Sequence, residues 1–519
     1  MVAQLPIELL QIIFHDATPE SLRAFRLVDR QWCAASTPYV FSRYHASLFS
    51  RSLNKFAALA QSPLAKHVKV IEFHTDQLPQ FTRQEWEAKI DHRPNISTYR
   101  AGLEGQVDWS QISRKYNELP RHNYTPKQLR MGWLAFQTYC REQQLWIDGQ
   151  AGLVLKDCII RLHNLSEVVI SRAKPFGGRI NDIPFWRNFM SEILVGPDAW
   201  TYTHFTNHKY EALSALYIMT ALGHRTALSG VKTVEKLTLA LPDPFSFYHM
   251  IYLPHGSPGV VPREYHERGF TGSDPDQGQR SSRYNVIVDV FRPLKHLVLW
   301  GPSIIEDDLG GAGALSQVKE TKQFLTAAVN LRSLDLDFGE PSRSYEGAGE
   351  ELDLFDRGLL QLITRRDKTY PYLEDLRISS AFPSKFFKRF LTLHKDTLKR
   401  LDIRDSLCDN WGKILGTIAR DLKLDYIYVE SLWSPSSGDD MDGDGIDMML
   451  AEGLEADDEF TRDVKTFLQT GKGPMPRMDD YEMSDSDDGH SETFYTTGAV
   501  HDPMSDDDDE DDDDSVFMD

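Results

Sequence analysis

A chain of 519 residues with 57 Lys and Arg against 78 Asp and Glu carries a formal net charge of -21, but residues 434–519 hold 29 of the acids and only four of the bases. The other residues therefore balance 49 acids with 53 bases, which excludes the strong one-signed field expected of a nucleic-acid or membrane-surface binder. Cys33, Cys140, Cys158 and Cys408 are too dispersed for a disulfide framework or a zinc knuckle, and Gln4, Pro6, Glu8 and Gln11 break up the apolar N-terminus, which argues against a signal or membrane span. The expected compartment is the cytosol or the nucleus, with no membrane, no direct nucleic acid and no sign of a homo-oligomer.

In chain order, residues 1–45 read as three short helices. Leu9 with Ile13 and Leu10 with Phe14 stand one turn apart and give the first helix a wide apolar face. Thr18 before Pro19 is a helix start, because Thr can accept a hydrogen bond from a free amide and Pro at the first helical position loses none. Leu22, Phe25 and Leu27 follow, and Val28 and Trp32 lead into the third helix. Helices this small have little interior and need a partner or a neighbouring domain to lean on.

From residue 46 to 432 an apolar triplet spaced i, i+3, i+5 recurs eight times: Val68/Ile71/Phe73, Leu165/Val168/Ile170, Val234/Leu237/Leu239, Leu294/Leu297/Leu299, Leu331/Leu334/Leu336, Leu373/Leu376/Ile378, Leu398/Leu401/Ile403 and Leu424/Ile427/Val429. This is the strand phrase of a leucine-rich repeat, in which adjacent strands stack into a parallel sheet. The last intervals are 42, 25 and 26 residues, with amphipathic helices between the strands: Phe355, Leu359, Leu362 and Ile363; Phe386, Phe390 and Leu393; Trp411, Ile414, Leu415, Ile418 and Leu422. Earlier intervals reach 97, 69 and 60 residues, so 74–150, 172–230 and 243–290 are read as insertions, with 127–144 and 208–223 helical and 254–283 and 340–350 as surface loops. Where a regular repeat caps its turn with Asn or Cys, this chain has Pro242, Pro302, Gly339, Ala381 and Ser406, so a continuous side-chain ladder is not expected.

Residues 433–519 are acidic and poor in apolar residues, ending in the run Asp506 to Asp514, and read as a disordered tail with a transient helix at Phe460–Leu468. Asp440, Asp442, Asp444 and Gly445 match the first half of a calcium loop, but Asp447 and Ala451 stand where an apolar residue and the bidentate Glu belong, so a solvated acidic linker is the better account. His204 and His208 have a helical zinc spacing without the catalytic Glu and are read as ordinary polar residues. Ser484 and Ser505, each with an Asp three residues on, suit an acidophilic kinase and are candidate phosphorylation sites. No phosphate loop, nucleophile elbow or other catalytic constellation emerges, and no cofactor, metal or catalytic residue is nominated.

Two stretches carry a family resemblance. Leu5-Pro6-Ile7-Glu8-Leu9-Leu10-Gln11-Ile12-Ile13-Phe14, followed by Phe25-Arg26-Leu27-Val28-Asp29-Arg30-Gln31-Trp32, resembles an F-box, with Asp29 where many members have Cys or Ser. With the irregular repeats behind it, residues 4 to about 432 are similar to F-box leucine-rich-repeat proteins of filamentous fungi. The resemblance implies an α/β solenoid: a three-helix F-box (1–45), an irregular leucine-rich-repeat domain with a parallel sheet and backing helices (46–432), and a disordered acidic tail (433–519). It further implies a non-catalytic substrate-recognition subunit of a Skp-cullin-F-box ubiquitin ligase, with Leu5, Pro6, Leu9, Ile13, Phe14, Val28 and Trp32 divided between adaptor contact and their own small core. The repeats would take an unidentified protein substrate. The alternative is an interaction scaffold without a ligase role, touching basic nuclear partners through its acidic tail.

Overall fold

The structure, a computed structural model, describes residues 5–47, 49–75, 78, 81–90, 124–145, 151–171, 192–194, 208–240, 282–300, 324–337, 370–435, 446–450, 459–472 and 476. All of them belong to the first of two units, Met1–Pro476 and Arg477–Asp519. Helices α1 (Ile7–His15), α2 (Pro19–Phe25) and α3 (Arg30–Val40) pack around Leu10, Phe14, Leu22 and Ala35. The Phe14 ring is the hub, with centroids 5.4 Å from Phe25, 5.6 Å from Trp32 and 6.0 Å from Tyr39. Thr18 Oγ1 accepts from the Ser21 amide at 3.2 Å and Asp29 Oδ1 from the Trp32 amide at 2.8 Å, so each loop residue supplies the cap that its helix start requires. The helical trio ends at Val40, earlier than position 45. Strand β1 (Arg43–Ser47) already belongs to the sheet, and it escapes the triplet pattern because Arg-Tyr-His-Ala-Ser has no aliphatic pair.

Nine parallel strands form one sheet in chain order: β1, β2 (Val70–His74), β3 (Glu167–Ser171), β4 (Lys236–Ala240), β5 (His296–Trp300), β6 (Ser333–Asp337), β7 (Asp375–Ser379), β9 (Arg400–Ile403) and β11 (Tyr426–Val429). The eight triplets supply β2 to β7, β9 and β11, and they stack without a slip. Ile71, Val168, Leu237, Leu297, Leu334, Leu376, Leu401 and Ile427 are successive register partners; so are Phe73, Ile170, Leu239, Leu299, Leu336, Ile378, Ile403 and Val429. From β2 to β9 these side chains are almost fully buried. Leu424 and Ile427 at the β11 edge are half-buried. Just before each strand a carbonyl accepts from two successive amides of the next strand's start: Lys69 from Ser166 and Glu167, Ser166 from Glu235 and Lys236, and so on to Lys399 from Asp425 and Tyr426.

Helices back one face of this sheet. α4 (Ser50–Gln61), α7 (Ala151–Arg161), α8 (His208–Thr226) and α9 (Ser282–Phe291) pack successively, as do α10 (Ser384–Leu393) and α11 (Trp411–Asp421). α8 lies within 172–230, so that interval contributes a helix of the backing layer and is not all insertion. α5 (Arg83–Ile90) and α6 (Pro126–Leu145) build a side cluster with Phe49, Leu78, Trp86, Phe136 and Ile193. The side chain of Gln143 bonds both the amide and the carbonyl of Leu78, closing a 65-residue excursion. α11 buries Trp411, Ile414, Leu415, Ile418 and Leu422 as its spacing predicts. On α10 the buried stripe is Phe387, Phe390 and Leu391, while Phe386 and Leu393 of the predicted stripe are half-buried; with Phe at 386, 387 and 390 the helical period alone leaves the phase open. The stripe predicted at 355–363 lies outside the described residues.

A second, smaller sheet follows the turns: β8 (Ala381–Phe382), β10 (Ser406–Cys408) and β12 (Leu432–Pro435) run parallel, and β13 (Ile446–Leu450) joins antiparallel. Ser406 there accepts from the Ser380 amide and donates to the Arg404 carbonyl at 2.6 Å, a local version of the turn cap expected to be missing. Folded structure thus continues past residue 432. α12 (Glu459–Thr470) packs on α11 and buries Val464, Phe467 and Leu468, so this stretch of the expected disordered tail is a docked helix. Tail-wide acidity hides that i, i+3, i+4 stripe, and the last helix of a stack needs a cover. Gly471 ends α12 at φ 63°, with its amide on the Phe467 carbonyl, and a Cβ there would meet the Ala419 carbonyl at 2.7 Å. All four cysteines are free thiols, and among the described residues no helix is long and apolar enough to cross a membrane.

One buried charge ties repeats together. Arg225, in the last turn of α8 and 1% exposed, donates from one terminal nitrogen to Lys232 O at 2.6 Å and from the other to Leu162 O at 2.7 Å and His163 O at 3.2 Å. Burial brings its pKa down to about 10, which still leaves it charged at neutral pH. Its planar fork satisfies carbonyls at the end of α7 and before β4. Arg225→Ala should therefore cost roughly 2–4 kcal/mol in urea unfolding, with Arg225→Lys recovering only part. A loss below about 1 kcal/mol would mean that the carbonyls find other donors.

Candidate functional site

Because side chains alternate across a strand, the residues between the buried ones face away from the helices. Along the middle of that open face lie His45, Glu72, Val169, Thr238, Val298, Asp335, Arg377, Asp402 and Tyr428, each the register partner of the next. From β5 onward the face is aromatic, basic and acidic at once. Trp300 Nε1 donates to Asp335 Oδ1 at 3.2 Å, Arg377 reaches within 3.8 Å of Asp335 Oδ2, and its guanidinium stands 5.6 Å from the Trp300 ring centroid. Arg404 makes a two-pronged contact with Asp402 at 2.7 and 2.9 Å and lies 4.5 Å from the Tyr428 ring centroid. Tyr428 donates to Glu430 at 3.0 Å, and Arg400 sits 5.1 Å from the Tyr426 centroid.

Beside these groups a depression of about 640 Å3 is lined by His296, Arg332, Ser333, Glu374, Asp375, Lys399, Arg400, Asp425 and Tyr426. Burial pushes the Asp335 carboxyl up to about 6, against the pull of Arg377 and Trp300. Burial also raises Asp375. Hydrogen bonding to Asp402 drives Arg404 deeper into its charged range. Such a surface holds its cations and rings in fixed places before any ligand arrives, so it is suited to recognition; Trp, Tyr and Arg are the side chains that most often dominate protein interfaces.

The second surface is the outside of the helical trio. Leu5, Pro6, Leu9, Ile13 and Val28 are exposed, with Leu9 at 47% and Val28 at 60%, and they are joined by Ile7, Ile12 and Leu27, the last 87% exposed. Gln31 donates to the Leu5 carbonyl at 2.8 Å, which brings the N-terminal residues to the start of α3 beside Val28. Phe14 is fully buried in the trio's interior, and Trp32, half-buried, packs against it at 5.6 Å between ring centroids.

The third feature is His45, Glu72 and His74, whose candidate ligand atoms lie within 4.8 Å of one another. Residues 204, 440–445, 451, 484 and 505 lie outside the described residues, His208 opens α8 and Asp447 lies in β13. No residue of the open face was nominated from sequence, although the triplets contain the signal: in i, i+3, i+5 the i+4 residue must point the other way, and it is Glu72, Asp335, Arg377, Asp402 and Tyr428 in five copies.

The raised Asp335 pKa has a testable sign. Its ordinary value is 3.8 and its folded value about 6, so the fold favours the protonated form. That contribution is complete below about pH 4 and is lost as pH rises through about 6. Asp335→Asn keeps an acceptor for Trp300 and removes the titration. Wild-type stability measured relative to this variant should fall by on the order of 2 kcal/mol from pH 4 to pH 7; a flat difference would mean that the carboxylate is well solvated. No protein-family model matches the chain, and no curated protein matches it.

Proposed function

We propose that the chain is a non-catalytic substrate receptor of a Skp-cullin-F-box type ubiquitin ligase, working in the cytosol or nucleus. In this reading α1 to α3 are the F-box, and Leu5, Pro6, Leu9, Ile13 and Val28 dock the adaptor while Phe14 and Trp32 support them from behind. The nine strands and their helices are the leucine-rich-repeat solenoid, whose open face takes the protein to be modified. The supporting observation is the segregation of the trio's apolar residues: Leu10 and Phe14 are fully buried while Leu9, Ile12 and Ile13, on the same two turns, are 41–64% exposed. A helix of nine residues that shows apolar side chains on both flanks has one flank more than its own core can use.

The open face supports the second half of the reading. Fixed Arg–carboxylate pairs and rings at β5 to β11 would select a polar, charge-bearing protein segment, since a partner must replace or extend those pairs to bind. No covalent step is needed from this chain. A rigid stack joined to an adaptor raises the effective concentration of the target near a ubiquitin-charged enzyme carried elsewhere in the complex.

The test uses residues that are exposed, so that folding is preserved. Purified adaptor should bind the wild-type chain, and Leu9→Asp with Ile13→Asp should weaken binding at least 30-fold, which corresponds to about 2 kcal/mol, without altering the thermal melt. Trp300→Ala with Arg404→Ala should leave adaptor binding intact and reduce ubiquitination of whichever protein the assembled ligase modifies. Failure of the wild type to bind the adaptor would sink the receptor reading.

A further inference from the structure

At the other end of the open face the side chains change character. Register pairs His45 with Glu72 across β1 and β2, and His74 lies two residues along β2 from Glu72 on the same face. His45 Nδ1 is 2.9 Å from Glu72 Oε2 and 3.3 Å from His74 Nε2. The two imidazoles are within 8° of parallel with centroids 5.5 Å apart. Since the facing nitrogens are closer than the centroids by nearly two ring radii, the rings lie edge to edge, nitrogen towards nitrogen. The carboxylate is already divided: Arg43 occupies Oε1, which leaves Oε2 to the histidines.

We propose that His45, Glu72 and His74 bind one divalent transition-metal ion of the zinc class, with a fourth position open to water or to a group of a docked partner. Two donors bound to one tetrahedral ion at about 2.0–2.1 Å stand about 3.3 Å apart, which is the separation of the facing nitrogens here. Two imidazoles and one carboxylate suit a borderline ion better than calcium or magnesium, which take mainly oxygen. The hydrogen bond from Arg43 to the second carboxylate oxygen is the kind of outer contact that orients a ligand. Access is from solvent, because the His45 side chain is 34% exposed while Glu72 is 16% exposed and His74 is buried.

The competing account of the same distances is a plain imidazole–imidazole hydrogen bond beside a carboxylate, and the acidic C-terminal run could hold divalent ions loosely by itself. Full-length protein, stripped with a chelator, separates these. Calorimetry with Zn2+ should give one saturable equivalent, and His45→Gln should weaken it at least tenfold with an unchanged far-ultraviolet spectrum, since the tail is identical in both proteins. Zn2+ should raise the wild-type melting temperature and leave that of His45→Gln where it was. Co2+ added to the wild type alone should produce the intense visible bands of a four-coordinate nitrogen-bearing site, a readout that does not depend on the variant folding. Equal Zn2+ binding in both proteins, or only the weak absorption of carboxylate-bound six-coordinate Co2+, would overturn the assignment.

Discussion

The structure depends on one constraint: a five-residue strand cannot bury its apolar face alone, so each strand is stable only between two copies of itself. The two aliphatic columns that run from Ile71 to Ile427 and from Phe73 to Val429 satisfy this, each side chain touching its register partner before and after. Side-chain period 2 makes a one-residue slip intolerable, because it would turn Asp335 or Arg377 into the helix layer and Leu336 or Ile378 out of it. The paired amides that share one carbonyl before each strand fix the same register through the backbone. Once register is set this way, the length of chain between strands matters little. Closing a longer loop adds a cost that grows only logarithmically, and β2 to β3 can spend about 90 residues where β7 to β9 spends about 20.

A stack also has ends, and the two ends are solved differently. At the first strand the helical trio precedes β1 and α4 follows it, and Tyr44 of β1 stacks on Phe56 of α4 at 5.3 Å. At the last strand β11 leaves Tyr426 42% exposed, and the backing layer is extended by α12, which lays Val464, Phe467 and Leu468 against α11. An uncovered α11 would show water the flank of a helix whose core side is already full. A capping helix drawn from the acidic C-terminal region is the economical solution, since its outer face is charged: Arg462, Asp463 and Lys465 are exposed while Val464 is not.

Most of the sheet was legible in the amino-acid sequence because its determinant is local and repeated. Leu-x-x-Leu-x-Leu and its variants state both the strand and the face, so eight of nine strands could be placed to within a few residues. The ninth was not, because Tyr44 and Ala46 do the work of the aliphatic pair and His45 interrupts what remains. α12 was misread for a related reason: whether Phe460 to Leu468 is a transient helix or a docked one depends on α11 offering a surface, and that is a tertiary fact. The phase of α10 is of the same kind. For the helical trio the apolar periodicity was readable, but the split between inward Phe14 and Trp32 and outward Leu9, Ile13 and Val28 needed the packing of three axes.

The open face was the least legible part, and its chemistry explains why. The i+4 positions are not held to an apolar residue by the helix layer, so they follow no pattern that periodicity can detect; what they share is that they face away from the backing helices. That freedom is used unevenly. The middle strands place Val169, Thr238 and Val298 there, small or branched groups that complete a quiet surface. At one end of the same row stand His45 and Glu72 and at the other Asp335, Arg377, Asp402 and Tyr428. Charged groups in half-buried positions lose hydration without gaining core contacts, and Asp335, with its carboxyl pushed to about 6, carries that cost visibly. The buried columns already fix the register of the stack, and the pairs Trp300–Asp335 and Arg377–Asp335 offset only part of that cost. On the proposed reading that cost belongs to binding, and Val169, Thr238 and Val298 separate the two polar clusters along the row.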